Sequence, residues 1–352
     1  MKALGTNSTR GSRWSGQTVK KSVQFLFACG STGYAALLDQ HYLLPSLRTL
    51  RRSLQNIHFE SGVLLEVFEF LRVEVKSMVP EEKNCCLTLD EMSIKPTIDF
   101  DVKSGCFIGN VNLPDHEGIA THVLVFMLGG LTTRWKQTVA YFFTGNATDG
   151  SAFVDIVLNI VACCREIGLT VVSVTSDMGS PNRAMWKKLG IMCTAQLNIV
   201  HKFCHPLDSD NEICVLADVP HLLKNVRNHF VKDIIVIPDE IVIQFNLPTN
   251  TVSVEHVRTL LEYQNTKDLK PAPGLNEQHL EPSHFDKMKV SLALNVFNKA
   301  VSAGLKLLVE NNYLEKNALT TAWFIDFIST WFTIMSSRHS VLAISKFNEE
   351  KY

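Results

Sequence analysis

Apolar residues recur at helical spacing in the first part of the chain, at Val19, Val23, Leu26 and Phe27 within the stretch Trp14 to Phe27. Gly30-Ser31-Thr32-Gly33 interrupts it, and a short helix is expected over Tyr34 to Asp39. Leu44-Pro45-Ser46 opens another helix, with Leu47, Leu50, Leu54 and Ile57 on one face and Arg48, Arg51, Arg52 and Gln55 turned away. Short helices joined by tight turns, the last one carrying arginines, fit a helix-turn-helix. They equally fit a small helical bundle with a basic solvent face.

From Cys85 the period changes to that of strands. Cys85–Asp90, Cys106–Val111, Ala120–Leu128 and Lys136–Thr144 are strand candidates. Asp149 to Ile167 reads as an amphipathic helix, with Phe153, Ile156, Val157, Ile160 and Val161 on one side, before Leu169–Ser176 returns to strand. Hairpins followed by a helix and a further strand predict a mixed α/β sheet. Ile213–Ala217 is a further strand, leading into a helix around His221–Phe230. Beyond it, Ile234–Phe245 reads as β-rich, and two apolar helices are expected over 285–311 and 316–335. A domain change is expected between 200 and 230.

Composition narrows the class. The chain has 352 residues and is 46% hydrophobic, enough for more than one core. Its net charge of −1 excludes a histone-like or acidic-tail protein. The charge is unevenly spread: residues 1–60 hold Lys2, Arg10, Arg13, Lys20, Lys21, Arg48, Arg51 and Arg52 against only Asp39 and Glu60. That end suits a polyanion, or simply a solvated basic face. No apolar run approaches the ~18–20 residues of a membrane helix, and Met1 to Ser15 lacks the apolar core of a signal peptide. The cysteines lie in apolar runs without a C-x-x-C, so they read as small core residues of a reducing compartment, cytosol or nucleus. His201, Cys204, His205 and Cys214 follow no standard zinc spacing.

Two aspartates carry the chemistry. Asp90 ends the run Leu87-Thr88-Leu89, and Asp177 ends Val171 to Ser176. A carboxylate beside buried strand residues is costly unless it is paired or binds a cation. Two acids at strand ends of one sheet can share Mg²⁺ or Mn²⁺, and paired metals clamp the oxygens of a phosphoryl transfer. The plainer reading makes both of them turn or cap residues. After Asp177, Ser180 is the expected N-cap of a helix with Pro181 at its first position.

The segments Leu89-Asp90-Glu91-Met92-Ser93-Ile94-Lys95, Thr175-Ser176-Asp177-Met178-Gly179-Ser180-Pro181-Asn182 and Asp218-Val219-Pro220-His221-Leu222-Leu223-Lys224 resemble P-element-type DNA transposases, including the THAP-domain relatives of animals. Phe27-Ala28-Cys29-Gly30, Leu44 to Arg52 and Trp331 to His339 extend the resemblance in the family's order. The resemblance implies a helix-turn-helix segment (1–78), the N-terminal part of an RNase H-like catalytic core (79–205) and a mainly helical GTP-binding insertion domain (206–352). It makes Asp90 and Asp177 the first two acids of a D-D-E triad that holds Mg²⁺ for DNA strand cleavage and transfer. It assigns Asp218, Lys224, Phe285, Asp286 and Lys289 to GTP, with Lys224 on phosphate and Asp286 at the guanine. Lys20, Lys21, Arg48, Arg51 and Arg52 are the residues expected on DNA.

The implied partners are duplex DNA at transposon ends, GTP and a second copy of the chain, with no membrane, in the nucleus. Two departures temper this expectation. Nothing before Trp14 supplies the ligands of a THAP zinc module, and Asn348 to Tyr352 end the chain before the Asp-x-x-Glu-Asn helix of the third acid. With two carboxylates of three, the chain as it stands is expected to be inactive. The competing expectations are a segment of a full transposase, a truncated or domesticated DNA-binding repressor, and a nonfunctional relic.

Overall fold

In a computed structural model of the chain, residues 14–54, 60–102, 105–145, 150–193, 199–283, 286–337, 339 and 341–343 are described. They form two compact units that divide between Leu216 and Ala217.

In the first unit α1 (Gly16–Asp39) is continuous except at Gly30, whose φ of 69° and ψ of 175° kink it where the glycine-containing break is expected. It is followed by α2 (Leu47–Leu54), β1 (Gly62–Val63) and α3 (Leu65–Val75). Val23, Tyr34 and Leu50 are the buried residues of a small helical core, in which the Tyr34 hydroxyl donates to the Pro45 carbonyl at 2.8 Å. Helix α3 departs from the expected 1–78 segment. Its Val67, Phe68, Leu71 and Val75 belong to the core of the sheet that follows.

That sheet is built from β2 (Asn84–Ser93), β5 (His122–Gly130), β6 (Lys136–Thr144), β7 (Thr170–Ser176), β10 (Lys202–His205) and β11 (Asp208–Ala217) together with β1, in the order β1-β6-β5-β2-β7-β11-β10. Between them lie β3 (Asp99–Asp101) and β4 (Cys106–Ile108), then α4 (Ser151–Ile167), α5 (Ser180–Lys188), β8 (Met192–Cys193) and β9 (Ile199–Val200). Strand β5 lies antiparallel between β2 and β6, and the crossover through α4 returns β7 parallel to β2. The five apolar residues expected on the inner face of α4 are all buried, as are Leu87, Leu89, Leu124, Phe126 and Leu128. Phe126 and Phe142 meet edge to face at 6.1 Å. Cys164 is a core thiol: hydrogen bonding with Cys85 and burial raise its pKa far above the ordinary range. The Cys106–Val111 run is not part of this sheet; among the described residues β3 and β4 form a separate two-stranded pair.

The expected boundary at 205/206 falls within the β10–β11 hairpin, whose pairing Phe203↔Ile213 keeps residues 206–216 in the sheet. The second unit contains α6 (Val219–Lys232), β12 (Ile235–Val236), α7 (Asp239–Gln244), β13 (Thr251–Val252), α8 (Val254–Asn265), α9 (Glu277–Leu280), α10 (Val290–Val296), α11 (Lys299–Glu310) and α12 (Ala318–Ser336). The β-rich reading of 234–245 is corrected to a two-residue strand and a helix. Pro238 starts α7, and Asp239 and Glu240 suit the positive end of its first turn. The single helix expected over 285–311 is likewise broken, because the Asn298 side chain caps α11 by accepting from the Val301 N–H at 3.0 Å. By length and composition 290–310 and α12 are apolar enough to cross a membrane. Their apolar residues Val301, Leu305, Leu308, Ala322, Ile325 and Ile328 belong to the core of this unit.

Candidate functional site

Asp90 lies on β2 just past its buried half, where the alternation of Cys85, Leu87 and Leu89 gives way to exposed positions. Parallel pairing sets Thr88 opposite Thr175. Asp90 and Asp177 each lie two residues beyond that pair, Asp90 still within β2 and Asp177 just after the end of β7. The crossover thus makes neighbours of two strands, β2 and β7, that are separated in sequence by β5, β6 and α4.

Their surroundings leave negative charge uncompensated. Asp90 is exposed, and its Oδ1 accepts from the Glu91 N–H at 2.9 Å. Asp177 Oδ1 accepts from the Gly179 N–H at 2.9 Å and from Asn182 Nδ2 at 2.6 Å. Neither carboxylate has a Lys, Arg or His partner among the described residues. Carboxylate oxygens are hard donors of the kind that Mg²⁺ and Mn²⁺ prefer. Among the described residues no third His, Cys, Asp or Glu completes a three-ligand cluster with them.

The expected cap after β7 is corrected in one detail. Gly179, rather than Ser180, is the N-cap of α5, and Asp177 itself takes up the Gly179 N–H. Asn182, 6% exposed, is a supporting residue that the strand-end pattern did not identify, although its place in the first turn after Pro181 puts it within reach. Trp186 adds a further tie by donating from Nε1 to Ser176 Oγ at 3.1 Å. Gly150, the N-cap of α4, matters for space: a Cβ there would sit 1.8 Å from the Pro181 carbonyl oxygen, so the start of α4 and the first turn of α5 touch backbone to backbone.

Lys20 and Lys21 on α1 and Arg48, Arg51 and Arg52 on α2 are all exposed, with no ion pair among the described residues. Lys20 and Ser53 line a common cavity of about 420 Å³, so the basic end of α2 lies against the early turns of α1.

In the second unit Asp218 is the N-cap of α6, accepting from the His221 N–H at 3.1 Å and pairing with the His221 ring. Lys224 follows on the same helix, half-buried. Asp286, 8% exposed, is heavily engaged: Oδ2 accepts from Ser283 Oγ at 2.7 Å and Gln278 Nε2 at 3.0 Å, and Oδ1 from Lys289 Nζ at 2.8 Å. Lys289, then Ser283 and Gln278, hold its carboxyl well below the usual carboxylate range. Phe285 lies outside the described residues. The structure therefore joins Asp286 to Lys289 and Asp218 to His221. An unforeseen residue links α6 to this cluster: Arg227, one turn beyond Lys224 and 0% exposed, donates through Nη2 to the Lys287 carbonyl at 3.1 Å.

Residues 59–190 match the family TNP-like, RNase H N-terminal domain, and residues 220–347 match TNP-like, GTP-binding insertion domain. The Transposable element P transposase of Drosophila melanogaster is 27% identical over 315 residues, which cover 90% of this chain and 38% of that protein. DNA transposase THAP9 of Homo sapiens is 24% identical over 331 residues, 89% of this chain and 34% of that protein. The chain thus spans well under half the length of either relative. A solved structure, the Drosophila P element transposase strand transfer complex, aligns over 96% of this chain and 69% of its own, with a TM-score of 0.70 and 25% identity. The sheet order, the helical second unit and these matches converge: the chain is a relative of the P-element-type transposases, with their RNase H-like N-terminal domain and their GTP-binding insertion domain.

Proposed function

We propose that this chain acts in the nucleus as the DNA-binding, catalytic and nucleotide-binding part of a P-element-like transposase, performing DNA strand cleavage and transfer at transposon ends as a self-associated assembly. The observation that supports this reading is the parallel register of β2 and β7, Thr88 opposite Thr175, which leads each strand toward one of the two acids, neither of them ion-paired among the described residues. Both are proposed to ligate Mg²⁺ (or Mn²⁺), which when bound supplies charge neutralisation and activation of the attacking oxygen. Gly179 and Asn182 orient Asp177 through one oxygen and leave the other for the cation. Lys20, Lys21, Arg48, Arg51 and Arg52 bind duplex phosphates from their exposed positions.

For GTP the fit is uneven. Lys224 has ammonium protons available for a phosphate oxygen, and Asp218 fixes the start of its helix. An ionised carboxylate offers about four acceptor sites. Three of those on Asp286 are taken by Ser283, Gln278 and Lys289, which leaves about one, so a guanine contact through two N–H donors there requires Lys289 to give way. Phe285 completes the proposed guanine site on sequence grounds.

DNA binding without strand transfer is the second reading, favoured by five exposed cations whose charge is independent of the carboxylate pair. Nicking of labelled duplex DNA in Mg²⁺, alongside binding by the same sample, separates the two. Asp90→Ala is expected to abolish nicking and retain binding. Binding without nicking by the parent selects the second reading, and parental nicking by Asp90→Ala refutes the assignment of Asp90.

A further inference from the structure

Helix α5 leaves Asp177 with one face committed to the fold. Asn182 bonds Asp177, Trp186 bonds Ser176, and Met185 is 0% exposed. These three residues define the inward stripe. Arg183 and Lys187, four residues apart, therefore share an exposed flank.

The fold gains little from these two cations. Helix α5 contains no acid, and neither side chain has an ion pair among the described residues. Like charges at this spacing disfavour a helix. Lys187 and Lys188 lie in the last turn, where the helix dipole welcomes a positive charge. Arg183 is the fourth helical residue, toward the end where the dipole opposes one. An arginine placed against both local effects, on a helix clamped to Asp177, suits an anion from outside the chain.

We propose that Arg183 and Lys187 form a second phosphate-binding surface, which grips the DNA strand whose neighbouring phosphodiester lies at Asp90 and Asp177. The proposal rests on the reading of that carboxylate pair as a DNA-processing site. Phosphates of a strand entering the pair pass over the start of α5, because Asp177 and α5 are separated only by Met178 and Gly179. The occupant follows from charge complementarity, and Arg183 adds a fork of donors suited to phosphate oxygens.

The test is fluorescence anisotropy with a labelled single-stranded oligonucleotide, titrated across a salt series with the full chain. Arg183→Ala/Lys187→Ala is expected to lower the slope of log K against log salt by about 1.4, two contacts at ~0.7 each on a single strand. The charge-preserving Arg183→Lys/Lys187→Arg variant is expected to retain the parental slope, which a purely structural role for these side chains does not predict. An unchanged slope in the alanine pair overturns the proposal. If Arg48→Ala/Arg51→Ala/Arg52→Ala still weakens binding in that case, the DNA-binding reading survives it. No binding by the parent overturns both. Charge dependence on phosphatidylserine vesicles but not on the oligonucleotide assigns the surface to membranes and overturns it as well.

Discussion

Asp90 and Asp177 in the first unit and Asp286 in the second are all carboxylates of a transposase-like chain, yet the fold treats them in opposite ways. Asp286 is enclosed, takes three side-chain hydrogen bonds and carries its own counter-ion in Lys289. The other two stand at the end of a sheet with backbone and amide donors only, and their charge is left uncompensated by the described residues. A carboxylate paired within the chain fixes local structure; one without such a partner at a strand end is the proposed ligand of a divalent cation.

Removing the support of the open pair gives the largest expected effect. Asn182→Ala takes away a buried donor to a charged acceptor, and is expected to cost about 1.5–3 kcal/mol in chemical denaturation. It is also expected to weaken divalent-cation affinity. Unchanged cation affinity would separate the amide from the site.

Gly150→Ala probes the neighbouring α4–α5 approach through space alone. With a Cβ placed 1.8 Å from the Pro181 carbonyl oxygen, backbone must move, at a cost of about 1–3 kcal/mol. Parental stability would show that the α4–α5 approach is loose.

Asp218→Ala removes the cap of α6 and is expected to cost about 1 kcal/mol. Retained affinity for a fluorescent GTP analogue in that variant would limit Asp218 to capping.

The smallest effect is expected at Lys289→Met, best seen against pH. The Asp286 carboxyl is depressed in the folded state, so the stability it contributes is fully present above its unfolded value, near ~3.9, and is lost as pH falls below that. Thermal midpoints of parent and variant are therefore expected to differ at neutral pH and to converge on acidification. A gap that widens toward acid would contradict the pairing as described. Because Lys289 occupies one acceptor site of Asp286, the same variant is expected to bind the GTP analogue no more weakly than the parent if guanine reaches that carboxylate.

Much of the first unit was legible from pattern. The alternation through Cys85, Leu87 and Leu89, the stripe along α4 and the Ser176–Asp177 strand end are consequences of burial on one face, and burial writes itself into apolar periodicity. Gly30 marked the kink in α1 because a positive φ favours glycine. The second unit was read less well. Ile234–Phe245 is apolar enough for a strand, but Pro238 followed by two acids turns it into a helix start, so end chemistry outweighed hydrophobicity. The support given by Asn182 and the enclosure of Asp286 by Gln278, Ser283 and Lys289 depend on contacts between side chains on turns and short helices, and periodicity does not encode them.

The central claim is that Asp90 and Asp177 jointly hold a divalent cation, and titration with Mn²⁺ followed by electron paramagnetic resonance tests it most directly. The account predicts a saturable loss of the free-ion signal in the parent, abolished in both Asp90→Asn and Asp177→Asn and unaffected in Asp286→Asn. Parental binding in either of the first two variants, or its loss in the third, would contradict it.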